Sequence, residues 1–250
     1  MNRYADTVSH GTNLVRSLRF NDENYSVVGG KALIDAEERV NFISALLSKI
    51  SEKIPVNVKL TLWEFMGKSS SSVKKRLGME KLKGTQLEAH KNFPFYLKYA
   101  DRIEKHDLEL KAEGSYSTFN VWTSVGLDKK IGNLDDLKKN LNTDEYRFYK
   151  RYVNIFEENR LHTKDSGYTS PEKNDPDTSE IEKLARAQVW GETGMDSKTV
   201  KSLLGLKEAT EAQLRKNQFY QHYKNTYQPR RTSIEEADKA ALKKFLLAAE

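Results

Sequence analysis

The stretch Leu62–Tyr99, LWEFMGKSSSSVKKRLGMEKLKGTQLEAHKNFPFYLKY, decides how the rest of the 250-residue chain reads. It opens on Trp63, passes Gly67, Val73 and Leu77-Gly78, and closes on Phe93, Tyr96 and Tyr99. The same skeleton returns further on, where Trp190 is followed by Gly194, Val200 and Leu204-Gly205 at the same offsets. Trp122, with Gly126 four residues on, opens a third copy, so each of the 3 tryptophans heads one segment. The aromatic end repeats as well, as Tyr146, Tyr149, Tyr152 and as Tyr220, Tyr223. Repetition of this kind points to small structural units joined in series, each burying one aromatic centre.

Working outward, residues 1–34 sustain no helical or strand period and read as a disordered leader. From Asp35 the pattern turns helical: Val40, Ile43, Leu46, Leu47 and Ile50 share one face, and Pro55 ends the run. A helix is expected over Val56–Met66, stopped by Gly67, then a short one capped by Ser69 through Val73 to Leu77. A longer helix over Phe93–Leu110 carries Tyr96, Tyr99 and Ile103 on one side. These segments make a first unit, residues 35–113. The second, 114–163, contains an aromatic helix over Asp144–Asn159, but between its motifs Ile131, Leu134 and Leu137 replace the skeleton out of register. Residues 164–179 are rich in Pro, Gly, Ser, Thr and Asp and read as a linker. The third unit, 180–250, repeats the skeleton with Asp196 as cap, and Ser233 with Glu236 is a capping-box signature for a final helix. Almost no stretch alternates with period two, so the fold class is all-α.

Bulk composition narrows function more by exclusion than by assignment. The hydrophobic share of 37% is low and the charged share of 31% is high, which suits small helical bundles with much solvated surface. The formal charge is +6, yet 42 basic residues are interleaved with 36 acidic ones, which favours mixed-charge helix faces over a nucleic-acid patch. Lys74-Lys75-Arg76 and Arg230-Arg231 are too short to be nuclear signals. With 0 cysteines, disulfides, thiolate metal sites and cysteine nucleophiles are excluded. No run of about 18 apolar residues exists to span a membrane. No apolar segment follows Met1, as expected of a cytosolic chain or one from which a signal peptide has been cleaved.

No catalytic constellation is visible. His10, His90, His106, His162 and His222 fall at no ligand spacing, and Gly29-Gly30 lacks the preceding strand of a phosphate loop. The expectation is a non-enzymatic protein without cofactor or metal. The aromatic positions Trp63, Tyr99, Trp122, Tyr152, Trp190 and Tyr223 are expected in cores, with Tyr96, Tyr149 and Tyr220 as alternates, because each buries a large apolar body and satisfies its polar atom locally.

Two leader features remain: Arg16-Ser17-Leu18-Arg19, and Asp35-Ala36-Glu37-Glu38-Arg39 at the border of the first helical segment. Together with the Trp…Tyr units, they resemble the RxLR effectors that oomycete plant pathogens secrete into host cells. Arg16, Ser17, Leu18 and Arg19 match the RxLR motif, and Glu37, Glu38 and Arg39 match the accompanying dEER motif. The three units resemble the WY or LWY modules of that family, with the middle of the second unit departing from the pattern. The resemblance implies a translocated virulence effector that binds a plant host protein and manipulates immunity. It would act in the host cytoplasm or nucleus, where a cysteine-free chain suits the reducing environment. Members with several units recruit phosphatase subunits, so such a subunit is one implied partner.

Two short motifs bear on partners. Tyr25 and Val28, after Asp22-Glu23, resemble the strand-addition motif read by ubiquitin-like autophagy proteins. Arg39-Val40-Asn41-Phe42 resembles a docking motif for a type-one protein phosphatase, although Val40 belongs to the apolar face of its helix. The alternatives to the effector reading are an α-helical scaffold or adaptor without a delivery role, and a basic nucleic-acid-binding helical protein. The oligomeric state is expected to be monomeric.

Overall fold

A computed structural model describes residues 55–114, 116–165, 178–229 and 233–248, with side chains of 162–165 excepted. Among these residues every regular element is an α-helix, and the fold is all-α. The helices are α1 (Val56–Phe65), α2 (Ser70–Arg76), α3 (Gly84–Glu88), α4 (Phe93–Glu113), α5 (Thr118–Ser124), α6 (Leu127–Lys130) and α7 (Leu134–Asn140). They continue with α8 (Asp144–Asp165), α9 (Glu180–Glu192), α10 (Ser197–Leu203), α11 (Glu211–Lys216), α12 (Gln218–Thr226) and α13 (Ile234–Ala248). α8 runs to Asp165, into the stretch read from sequence as linker. None of the described helices is long and apolar enough to cross a membrane.

Short polar side chains set the helix starts, because each satisfies a backbone N–H that the first turn leaves without a partner. Ser69 accepts from Ser72 N, Ser117 from Asn120 N, Ser179 from Glu182 N, and Asp196 from Thr199 N. Thr210 and Gln213 form a full capping box at α11, and Ser233 accepts from Glu236 N at α13.

The described residues divide into two compact units, one within residues 55–103 with 246–248 and one within residues 104–245. In the first, Leu60 and Trp63 of α1 pack with Val73, Leu77, Met79, Leu87, Phe93, Tyr96 and Tyr99, and Leu246 and Leu247 close on this cluster. The second unit has two clusters. The larger joins Trp122, Leu127, Ile131, Leu137, Tyr146, Tyr149 and Val153 to Ala185, Val189, Trp190, Val200, Leu214, Tyr220 and Tyr223. The segments headed by Trp122 and Trp190 therefore share one core. The smaller cluster holds Leu108, Ala112, Val121, Tyr152 and Phe156. Ile131 and Leu137 are buried in the core, whereas Leu134 is exposed at the start of α7.

The local logic of the repeat can be followed atom by atom. After Trp63, Gly67 takes a left-handed φ of 59°; Gly67 N donates to Glu64 O and Lys68 N to Trp63 O. After Trp190, Gly194 has φ 65°; Gly194 N donates to Gly191 O and Met195 N to Trp190 O. This is one helix-terminating turn used twice, and glycine adopts its φ without the penalty that a Cβ would bring. A cap (Ser69, Asp196), a short helix and a fully buried valine (Val73, Val200) follow in both places. Tyr99 Oη then donates to Lys68 O at 2.5 Å and Tyr223 Oη to Met195 O at 2.7 Å, each tying the tyrosine back to the residue five beyond its tryptophan. The Trp122 segment shares only the first step: Gly126 has φ 76°, but it directly precedes α6 as its N-cap. Tyr152 Oη donates instead to Tyr116 O at 2.8 Å.

Candidate functional site

The sequence motifs divide sharply by location. Arg16, Ser17, Leu18, Arg19, Tyr25, Val28, Glu37, Glu38, Arg39 and Arg230-Arg231 lie outside the described residues. Trp63, Tyr99, Trp122, Tyr152, Trp190 and Tyr223 are all buried, as are Tyr96, Tyr149 and Tyr220. Trp122 meets Tyr149 edge-on, with ring centroids 4.9 Å apart, while Tyr152 pairs with Phe156 in the smaller cluster. Burial pushes Tyr99 and Tyr223 up to about 12, with Glu64 adding to the shift at Tyr99. Both phenols are thus protonated donors at neutral pH, already committed to backbone carbonyls.

Below Trp190 lies a charged cluster that no sequence pattern announces. Glu157 and Glu182 are both 0% exposed. Tyr149 Oη donates to Glu182 Oε1 at 2.6 Å, Arg186 Nη2 stands 3.8 Å from Glu182 Oε2, and the Arg186 guanidinium lies 5.7 Å from the Trp190 ring centroid. Neither Glu157 oxygen has a hydrogen-bond partner among the described residues, and Arg160 Nη1 is 3.9 Å away. Burial pushes the Glu157 carboxyl up; Arg186 and Arg160 oppose this, and Glu182 reinforces it. With both carboxylates closed off from solvent and Arg186 only partly exposed, the group reads as a structural cluster. Among the described residues no group of three His, Asp or Glu side chains is placed to hold a metal.

A second network fastens the long aromatic helix. Arg147 donates in a fork to Glu104 at 2.7 and 2.8 Å and to Asp144 at 2.6 Å, and Arg151 donates to Glu104 at 2.8 Å. Burial alone would raise the Glu104 carboxyl, but the hydrogen bonds and charge of the two arginines outweigh it and hold the group below its ordinary value.

Among the described residues, an accessible feature of the second unit is a pair of adjoining clefts, of about 780 and 410 Å³, between α8, the α9–α10 turn and the start of α13. Asn154, Ser233, Ile234 and Asp238 line both. Asn154 is only 8% exposed, and neither its amide nitrogen nor its amide oxygen has a partner among the described residues. Asp238 Oδ2 stands 4.0 Å from Arg151 Nε. Burial pushes its carboxyl up to about 6 despite the opposing charges of Arg151 and Lys150. Sequence reasoning passed over Asn154 and Asp238. The usable signal was the stripe Arg147, Arg151, Asn154, Glu158 at i, i+4, i+7, i+11, beside the aromatic stripe Tyr146, Tyr149, Val153, Phe156 on the same helix.

Comparison with known proteins adds one relative. The chain is 25% identical over 191 residues, 76% of its own length and 78% of the other's, to a secreted RxLR effector protein of Phytophthora infestans (strain T30-4). No family model matches the chain, and no solved structure matches it.

Proposed function

We infer that the chain is a host-translocated virulence effector, acting without catalysis by binding a plant host protein and so suppressing or redirecting immunity. The observation that carries this reading is the similarity, over about three quarters of both chains, to a secreted RxLR effector protein. Arg16-Ser17-Leu18-Arg19 followed by Glu37-Glu38-Arg39, in that order ahead of the helical part, supports a delivery leader of the same type. The paired turns after Trp63 and Trp190, each closed by a tyrosine hydroxyl on the fifth residue beyond the tryptophan, support a WY-type reading of the segments they head.

In this reading the Trp and Tyr positions are scaffold, and partner contacts lie on exposed helix faces and in clefts. Two results test it. Residues 35–250 expressed in plant tissue and affinity-purified should recover a host protein, such as a phosphatase subunit, above background; recovery of none contradicts the reading. Replacing Arg16 and Arg19 with Ala should reduce delivery into host cells while leaving the melting curve of the folded part unchanged, and unaltered delivery removes the leader's role.

A further inference from the structure

We propose that the twin clefts around Asn154 form a docking site for an extended peptide segment carrying a basic residue beside an apolar one. The inference rests on the partner-binding reading above and names the chemistry of the partner. Its first support is Asn154 itself. A buried side-chain amide in a folded protein is almost always hydrogen-bonded, yet this one has both polar atoms unpaired among the described residues and lines both clefts. An asparagine amide offers a donor and an acceptor side by side, the complement of the N–H and C=O that one residue of an extended strand turns to the same side. Both clefts reach it and fall within the size range of ligand sites. A strand crossing Asn154 would seat one side chain in each, because alternate residues of an extended chain point to opposite sides.

The linings differ, and the difference sets the specificity. The larger cleft carries Glu158, Glu235 and Asp238 against Lys105 and Arg151, and Arg151 is already held by Glu104. Its remaining character is acidic, on a chain whose formal charge is +6, so a lysine or arginine side chain is its complement. The smaller cleft is walled by Tyr227, Pro229, Ile234 and Ala237; its Lys150–Glu192 pair is closed on itself at 2.6 Å, and its remaining carboxylate, Asp238, is the one it shares with the larger cleft. An apolar side chain fits there.

Panning a random heptapeptide phage library on the full chain, then measuring the enriched peptides by fluorescence polarisation, tests the site. The enriched pool should place Lys or Arg next to an apolar residue. Asn154→Leu should weaken binding roughly tenfold or more, since two buried hydrogen bonds are lost, with the far-UV spectrum unchanged. Asp238→Asn should weaken it less and erase the preference for basic residues. The proposal is overturned if no pool is enriched, if enriched peptides bind both variants as they bind wild type, or if Asn154→Leu lowers the melting midpoint of a wild type that captures no peptide, which would mean that the amide is satisfied from within the chain. Failure here alongside a host protein recovered from plant tissue would remove the cleft and leave the effector reading standing. Peptide binding with no host protein recovered would do the reverse.

Discussion

The Trp63 and Trp190 segments use one local design in two different surroundings. Both have the tryptophan, the left-handed glycine four residues on, the cap, the buried valine and a tyrosine hydroxyl on the same carbonyl position. Around Trp63 the neighbours are apolar: Leu60, Val73, Met79, Leu87 and Phe93. Around Trp190 the apolar shell is interrupted by Glu157, Glu182 and Arg186, and it is shared with the segment of Trp122. Local sequence thus dictates the turn and the aromatic anchor. What the anchor is packed against comes from distant parts of the chain.

The largest expected effects come from the anchors. Trp63→Ala and Trp190→Ala should each cost about 3–5 kcal/mol, read as a fall in the chemical-denaturation midpoint; equal stability of variant and wild type would remove either residue from its core. Next comes a change with no counterpart near Trp63. Arg186→Met leaves two buried carboxylates without their guanidinium and should cost about 3 kcal/mol, while Arg102→Met, whose partner Glu64 is 2.7 Å away on the surface of the first unit, should cost under about 1 kcal/mol. Comparable losses for the two would erase the contrast in polarity.

Gly67→Ala and Gly194→Ala should behave alike, each costing about 1–2 kcal/mol because a Cβ is strained at positive φ. Unequal losses would mean that the two turns are not one design. The smallest effect is a pH dependence confined to the second unit. The Glu157 carboxyl is raised by burial, so the folded state holds its proton more tightly than the unfolded state does. Its contribution is favourable at acid pH and is lost as pH rises through the folded value. Glu157→Gln should therefore raise the melting midpoint slightly at neutral pH, with the gain disappearing at acid pH; a gain that is equal at both would assign the effect to packing.

These contrasts also show which parts of the fold could be read from sequence. Trp63, Gly67, Ser69, Val73 and Gly78 follow in a short run whose turn chemistry and helical period act locally, so their elements are legible residue by residue. The same holds for Asp196 and for Ser233 with Glu236. The second segment reads less well: Trp122 packs on Tyr149, whose hydroxyl is held by Glu182 of α9, and Tyr152 turns to a separate cluster with Phe156. That choice between two tyrosines three residues apart is made by a helix that begins at Glu180, far outside any window around Trp122. The clefts were hidden for a related reason. α8 is buried on more than one side, so Asn154 and Arg151, polar residues beside an aromatic stripe, line an enclosed cleft together with residues of α13.

The most direct test of the account is hydrogen exchange on Trp190→Ala, followed segment by segment. Because Trp190 shares its core with Trp122, Leu137 and Tyr149, protection should fall across both Glu180–Thr226 and Thr118–Val153, while Val56–Tyr99, built around Trp63, keeps the protection it has in the wild type. Loss restricted to Glu180–Thr226 would contradict the shared core and describe instead a segment that folds on its own.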